Sequence, residues 1–261
     1  MKRCLKFFAQ LKKDSKFRVN DTVSSYSVKK ELGEGRYGIT YLGENPDCEQ
    51  VTIKQLKRGM LSLSLEKAKY EPEILKKLNN VECNYFPKFI GEFNIDKKQG
   101  YILEYIKGKT FVEMLCNDGK AFNKDEIYQI ALKLLNAIKV LEDRNIVHKD
   151  IRITNVICTE ENDIKIIDFG LARYVDSKRY KKEVDYWYIA DFLIHLHYSN
   201  IRDGLVESLF KKERPWYEEL DLTDNERCIL MSMMGIGKKK YKSVDEIKLD
   251  IESLIEKGIT V

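Results

Sequence analysis

"HKDIRITNVICTEENDIKIIDFG", residues 148–170, decides how this chain is read. Its first eight positions hold one histidine, two basic residues, an aspartate and an asparagine. A buried structural strand does not carry such a load, because polar groups cost free energy once water is excluded. Two β-like runs follow, "NVICT" and "IKIIDFG", and read as a hairpin. Such a hairpin lets Asp150 and Asp168 converge at one cleft. For either segment alone, a polar turn is the competing explanation.

Upstream, "YSVKKELGEG" and "GITYLGEN" predict two strands joined by a glycine turn, and "QVTIKQLK" predicts a third. Gly33, Gly35 and Gly38 match G-x-G-x-x-G. A tight turn needs glycine for the same backbone reasons, so the match alone is weak. A strand follows the third glycine here, where a dinucleotide-binding fold would place a helix. A hairpin of bare backbone can instead lie over phosphates. Lys54 lies sixteen residues beyond Gly38. A strand lysine usually points to solvent, and an inward one needs a partner. In "SLEKAKYEPEILKKLNN" the helical phase puts Glu71 on the face of Ala68, Leu75 and Leu78, with Glu73 nearly opposite. Glu71 is therefore the better inward partner. Pro72 predicts a kink or a helix start nearby. "YFPKFIGEFNI" and "GYILEYI" predict two more strands, so roughly the first 105 residues form a small sheet with one helix.

The remainder is mainly helical. "DEIYQIALKLLNAIKVLEDRN" sets Ile127, Ile130, Leu134, Ile138 and Leu141 on one stripe. "LTDNERCILMSMMG" has a threonine cap and a closing glycine, and "SVDEIKLDIESLIEKG" repeats the pattern. Asp150, Asn155, Asp168 and Arg152 are the residue types that phosphoryl transfer requires. It needs a carboxylate for the hydroxyl proton, oxygen ligands for Mg²⁺ and a cation near the transferred phosphate.

The ordered set "GEGRYG", "VTIK", Glu71, "HKDIRITN" and "DFG" closely resembles the eukaryotic-type protein kinases. The resemblance implies an α+β, bilobal fold with an N-terminal antiparallel sheet, one helix, a mainly helical C-terminal lobe and ATP between the lobes. It implies an N-lobe over about 26–103, a hinge over 104–108 and a compact C-lobe over 109–261, after a basic extension over 1–25. Lys54, held by Glu71, would grip the α- and β-phosphates. Asp150 would be the catalytic base, with Arg152 as its neighbouring cation, and Asn155 and Asp168 would hold Mg²⁺. The glycine stretch Leu32, Gly33, Glu34, Gly35, Arg36, Tyr37, Gly38 and Ile39 would cover the nucleotide. Thr40 stands where the family usually has a valine over the base. Leu103 is similar to a gatekeeper, with the Glu104 and Ile106 backbone meeting adenine.

Three departures stand out. Lys149 replaces the arginine of H-R-D, which keeps the charge and loses the bidentate fork. Arg152 replaces the usual lysine. Only 14 residues, 171–184, separate Gly170 from Asp185 of the D-x-W-x-x-G-like "DYWYIA", against about 30 in the family, and A-P-E is absent. The abbreviated segment is similar to that of small bacterial kinases of eukaryotic type. It predicts a constitutively formed site without loop-phosphorylation switching, and it leaves the acceptor open. A serine/threonine protein kinase is the first expectation. A kinase of a small molecule or glycan comes next, although aminoglycoside-phosphotransferase relatives show H-G-D and lack DFG. A non-catalytic nucleotide-binding scaffold comes last, since no catalytic position is missing.

Composition bounds the rest. The 261 residues are 43% hydrophobic with a net charge of +4. This suits a real core and gives no reason to propose a nucleic-acid binder. Six scattered cysteines without a C-x-x-C pair fit a reducing, cytoplasmic setting. No apolar run is long enough to span a bilayer. Residues 1–18 mix Leu5, Phe7, Phe8, Leu11 and Phe17 with seven basic side chains. They read as an extension packed on the domain, with peripheral contact to an anionic membrane or a partner as the alternative.

Overall fold

The computed structural model describes residues 15–35, 37–57, 65–176, 178–201 and 214–258. Arg36, the Ala68 side chain and residues 1–14 lie outside the described residues. The chain divides into two compact units between Ile106 and Lys107.

The N-terminal unit is built on a six-stranded antiparallel sheet. Its strands are β1 (Thr22–Val23), β2 (Tyr26–Glu34), β3 (Gly38–Glu44), β4 (Gln50–Leu56), β5 (Phe89–Ile95) and β6 (Lys98–Glu104). They lie in the order β1-β2-β3-β4-β6-β5. Strand alternation gives the sheet two different faces. One face buries Val23, Val28, Ile39, Tyr41, Val51, Ile53, Phe93 and Ile102 together with Phe17. Phe17 meets the Tyr41 and Phe93 rings edge-on, 5.7 and 5.8 Å between centroids. The register Thr40↔Lys54↔Tyr101 puts those three residues on the other face. Helix α1 (Leu65–Leu78) buries Glu71, Ile74, Leu75 and Leu78 and exposes Glu73. It neither begins at Pro72 nor stops before it. The burial of Ile74, Leu75 and the Glu71 head outweighs the one hydrogen bond that proline removes.

The C-terminal unit opens with β7 (Gly108–Thr110) and α2 (Phe111–Cys116), continues through α3 (Lys124–Glu142) and β8 (Ile146–Val147), and then forms β9 (Val156–Thr159) and β10 (Ile164–Ile166). A 3₁₀ turn over Phe169–Leu171 and β11 (Arg173–Tyr174) lead into α4 (Glu183–Tyr198), α5 (Trp216–Glu219), α6 (Asp224–Met233) and α7 (Val244–Gly258). Capping boxes start three helices: Thr110 with Glu113, Asn123 with Glu126, and Thr223 with Glu226. Helix α3 buries Ile127, Leu134, Ile138 and Leu141 of its stripe, while Ile130 is half-buried. Phe111 meets the Phe192 ring edge-on and lies tilted against Phe122. Among the described residues no helix is long and apolar enough to cross a membrane.

Candidate active site

In the N-terminal unit, Lys54 and Glu71 meet. The Lys54 ammonium donates to both Glu71 carboxylate oxygens at 2.8 Å. Lys54 is 9% exposed and Glu71 4%. The ammonium also lies 5.9 Å from the centroid of the Tyr101 ring. A buried lysine is tolerated because the glutamate and the ring compensate its lost hydration. Helical phase selects Glu71 over Glu73, and strand register delivers Lys54 to the face on which α1 lies.

The glycine stretch is a tight hairpin closed by a 2.9 Å bond from Gly35 N–H to the Gly38 carbonyl. Its glycines serve different ends. A Cβ on Gly38 would lie 2.5 Å from the Gln55 carbonyl oxygen, so β4 packs against bare backbone there. A Cβ on Gly33 or Gly35 would meet nothing within 4 Å. Gly38→Ala should therefore lower stability by about 1–3 kcal/mol, in the range of overpacked sites. Gly35→Ala should leave it nearly unchanged. Urea unfolding of the two variants checks this contrast. Glu34, at the tip, is clamped by Lys57 at 2.7 Å and Lys16 at 2.8 Å. Those hydrogen bonds pull its carboxyl down to about 2.

The other residues of this stretch differ in what they present. Leu32 is exposed, Tyr37 and Thr40 are half-buried, and Ile39 packs into the core, leaving only its backbone on offer. At the end of the unit, Leu103 and Ile106 are buried. Glu104 donates its N–H to the Lys88 carbonyl at 2.8 Å, so that N–H is committed within the unit.

In the C-terminal unit, β9 and β10 pair with Val156 opposite Ile166. The ladder continues one step, with Ile167 N–H donating to the Asn155 carbonyl at 2.9 Å. The hairpin thus sets Asn155 beside the residue that precedes Asp168. Asn155 Nδ2 donates to the Asp150 carboxylate at 2.9 Å and to its backbone carbonyl at 3.1 Å. Arg152 Nε reaches the other Asp150 oxygen at 2.9 Å. Burial raises the Asp150 carboxyl above its usual range, and the negative charge of Asp168 pushes the same way against Arg152 and Asn155. Asp168 has left-handed backbone, φ 64°, and accepts from Gly170 N–H at 3.3 Å. Phe169 is fully buried against the His148 ring, 4.5 Å between centroids.

Asp185 holds the loop from beneath. Its two carboxylate oxygens accept from the His148 and Lys149 N–H groups, both at 2.7 Å. This supports the left-handed Lys149, φ 69°. Burial pushes the Asp185 carboxyl up to about 6, against the pull of those two donors. A folded-state value above the unfolded one means that the folded protein binds the extra proton. The resulting stability is fully present below about pH 4 and is lost as pH rises through about 6. Asp185→Asn has no such proton. Its destabilisation should therefore be larger at about pH 4 than at about pH 7.5, by as much as about 3 kcal/mol. Paired urea titrations at the two pH values check this.

Three features were not foreseen from sequence. The short segment after β11 is closed by Asp176, whose carboxylate accepts the N–H groups of Lys178 (3.0 Å), Arg179 and Tyr180 (2.9 Å). The Lys149 ammonium sits 4.4 Å from the Tyr180 ring centroid. An aspartate opening a polar run is a turn signal and could have flagged the first feature. The cation–ring contact is non-local and left no such mark. The third feature is a groove of about 340 Å³ beside Arg152, lined also by Thr154, Trp187, Tyr188, Asp191 and His195.

The protein kinase domain family matches residues 26–261. A probable serine/threonine-protein kinase of Bacillus subtilis, YbdM, is 30% identical over 88% of this chain and 90% of its own length. A probable serine/threonine-protein kinase of Dictyostelium discoideum is 30% identical over 65% of this chain, a match that spans 34% of that protein. A crystal structure of a kinase domain matches with a TM-score of 0.72 at 16% identity, covering 89% of this chain and 96% of that one, which establishes likeness of fold. The family match over most of the chain and the likeness along nearly the whole Bacillus protein lead to one conclusion: this chain is a member of the protein kinase domain family.

Proposed function

We propose that the protein is an ATP- and Mg²⁺-dependent kinase that moves the γ-phosphate of ATP to a serine or threonine hydroxyl of a protein. The observation that carries this reading is the setting of Asp150. It is a partly buried carboxylate, oriented by Asn155 and Arg152, and burial raises its affinity for a proton, as suits a general base. Gly33 and Gly35 support the reading. Neither has a left-handed backbone nor a neighbour that a side chain would strike, so an approaching phosphate is the better reason for bare backbone there. Lys54, fixed by Glu71, is the cation for the α- and β-phosphates.

The donor set suits Mg²⁺. Asn155 uses its amide nitrogen on Asp150, while its oxygen, the harder ligand, accepts among the described residues only a 3.4 Å bond from the Thr154 hydroxyl, and Asp168 adds a carboxylate. One or two protein oxygens are what Mg²⁺ usually takes beside substrate phosphates and water, and the ion then neutralises charge on the transferred group. Asp150 accepts the hydroxyl proton, and Arg152 keeps a positive charge beside the acceptor. The names of the two relatives favour serine or threonine. The bonds of Asp176 to Lys178 and Tyr180 and the contact of Lys149 with the Tyr180 ring hold the segment through its own side chains, which supports a site formed constitutively. The cytoplasm is the proposed location, in line with the unpaired state of all five described cysteines.

A small-molecule or glycan acceptor is the second reading. It is favoured by the short segment and by a groove at Arg152 of small-ligand size. The deciding experiment incubates the protein with γ-labelled ATP and a generic basic protein, with Mg²⁺ or with chelator. Mg²⁺-dependent label on protein is expected. ATP consumption only when a metabolite mixture is added would move the assignment to the second reading. Absence of any transfer would overturn both.

A further inference from the structure

A second cavity, of about 600 Å³, lies in the C-terminal unit between the first turns of α4, the end of α6 and the connection to α7. None of Asp150, Arg152, Asn155 or Asp168 lines it. Its wall is apolar and aromatic: Tyr186, Trp187, Met233, Met234 and Tyr241. Of the three tyrosines that line it, Tyr186 commits its hydroxyl to Glu142 at 3.0 Å and Tyr241 to Asp250 at 2.7 Å; the third is Tyr188. What these residues offer the cavity is ring and hydrocarbon surface. Trp187 is 40% exposed. Ser232 also lines the cavity, and its buried hydroxyl has no hydrogen-bond partner among the described residues. A buried hydroxyl in that state carries a desolvation cost that a ligand's polar group would remove.

Two lysines, Lys181 and Lys240, and one acid, Glu183, line the cavity, and the chain on either side of the lysines is strongly basic. Two strings, "KRYKK" at 178–182 and "KKKYK" at 238–242, hold eight cations and no acid. They come together here because Lys181 and Lys240 line the same cavity. Among the described residues only two of the eight are ion-paired, Lys182 with Glu142 and Lys239 with Asp250. Among its described residues, the 14-residue segment ahead of Asp185 reaches the cavity with Lys181, Glu183 and Val184.

We infer that this cavity docks an acidic segment of a partner protein, which inserts one aromatic or aliphatic side chain against Tyr186, Trp187 and Met233 while its carboxylates meet Lys181 and Lys240. Charge complementarity selects an anionic occupant. The apolar and aromatic lining selects one with a side-chain anchor rather than a bare polyanion. The two basic strings extend beyond the cavity, which suits a chain better than a compact metabolite. The inference does not depend on the phosphotransfer reading, because it concerns binding alone.

The test uses the full chain and a fluorescein-labelled peptide, DEDFEDE, followed by anisotropy at about 50 mM and about 300 mM salt. Controls are DEDSEDE, KRKFKRK and single-stranded oligothymidine. Saturable binding of the phenylalanine peptide is expected. It should weaken at least about tenfold with serine in place of phenylalanine, and by a similar factor in Lys181→Glu/Lys240→Glu. Both lysines are exposed, and the one bond the variant removes, from the Lys240 ammonium to the Gly235 carbonyl at 2.8 Å, is itself exposed, so its melting curve should stay close to wild type, and Lys181→Glu alone, which breaks no such bond, should show weakening in the same direction. The basic peptide should not bind. Equal affinity for the phenylalanine and serine peptides would overturn the inference, as would binding indifferent to the charge reversal or no binding. Oligothymidine displacing the peptide with tighter affinity would assign the surface to nucleic acid instead.

Discussion

Asp150→Asn is expected to lower phosphotransfer roughly 10²–10⁴-fold, the usual contribution of a positioned general base, while the fold and nucleotide affinity stay close to wild type. The asparagine is nearly isosteric. It can still accept from Asn155 Nδ2 through its remaining oxygen, although Arg152 loses its anionic partner. That pair is exposed on the arginine side, so its loss should cost little stability. What disappears is the carboxylate proposed to take the proton from the attacking hydroxyl. The wild-type rate has its own signature. Burial raises the Asp150 carboxyl, so the acidic limb of turnover should lie above the pH of an ordinary aspartate. Turnover at saturating ATP, read beside calorimetric nucleotide binding, decides the matter. A variant that still turns over within about threefold of wild type would remove Asp150 from the chemistry.

Lys54→Met should be the most destabilising of these changes, at about 3–5 kcal/mol, because it strips the cation from a buried carboxylate. Both partners are nearly inaccessible to water, so solvent cannot replace the ammonium for Glu71. The double variant Lys54→Met/Glu71→Leu removes the stranded charge and should regain much of that loss. Its turnover should remain as low as that of the single variant, since it still lacks the lysine proposed to hold the phosphates. Urea unfolding and a phosphotransfer assay on the same three proteins separate the two roles. If the double variant were no more stable than the single one, the pair would not be the source of the effect. Restored turnover in the double variant would refute the role of Lys54 at the phosphates.

Much of this was readable from residues alone, wherever the pattern is local. Strand alternation and a glycine turn foretell β2, β3 and β4. Helical phase separates Glu71 from Glu73. The spacing of Asp150, Asn155 and Asp168 around two short β-runs anticipates the hairpin that brings them together. What escaped reading is set by distant contacts. β1, β8 and β11 are two residues long and exist only through their partners. Pro72 argues against a continuous helix, and the packing of Ile74 and Leu75 overrules it. The two basic strings, some sixty residues apart, look like ordinary solvated charge until the fold sets Lys181 and Lys240 on one cavity.

The family match begins at residue 26, yet the sheet face that buries Val28, Tyr41 and Ile53 is finished by what comes before it. Phe17 and Val23 are buried in that face, and Gln55 donates to the Ser15 carbonyl at 2.9 Å. Lys16 grips both Glu31 and Glu34, on the strand that leads into the glycine turn. For anyone cutting or tagging this protein, the upstream residues are thus no inert handle. A cut at the family boundary would open the hydrophobic face and release one of the two clamps on the turn, so that an activity change seen in such a fragment would report a loosened brace rather than a missing regulator.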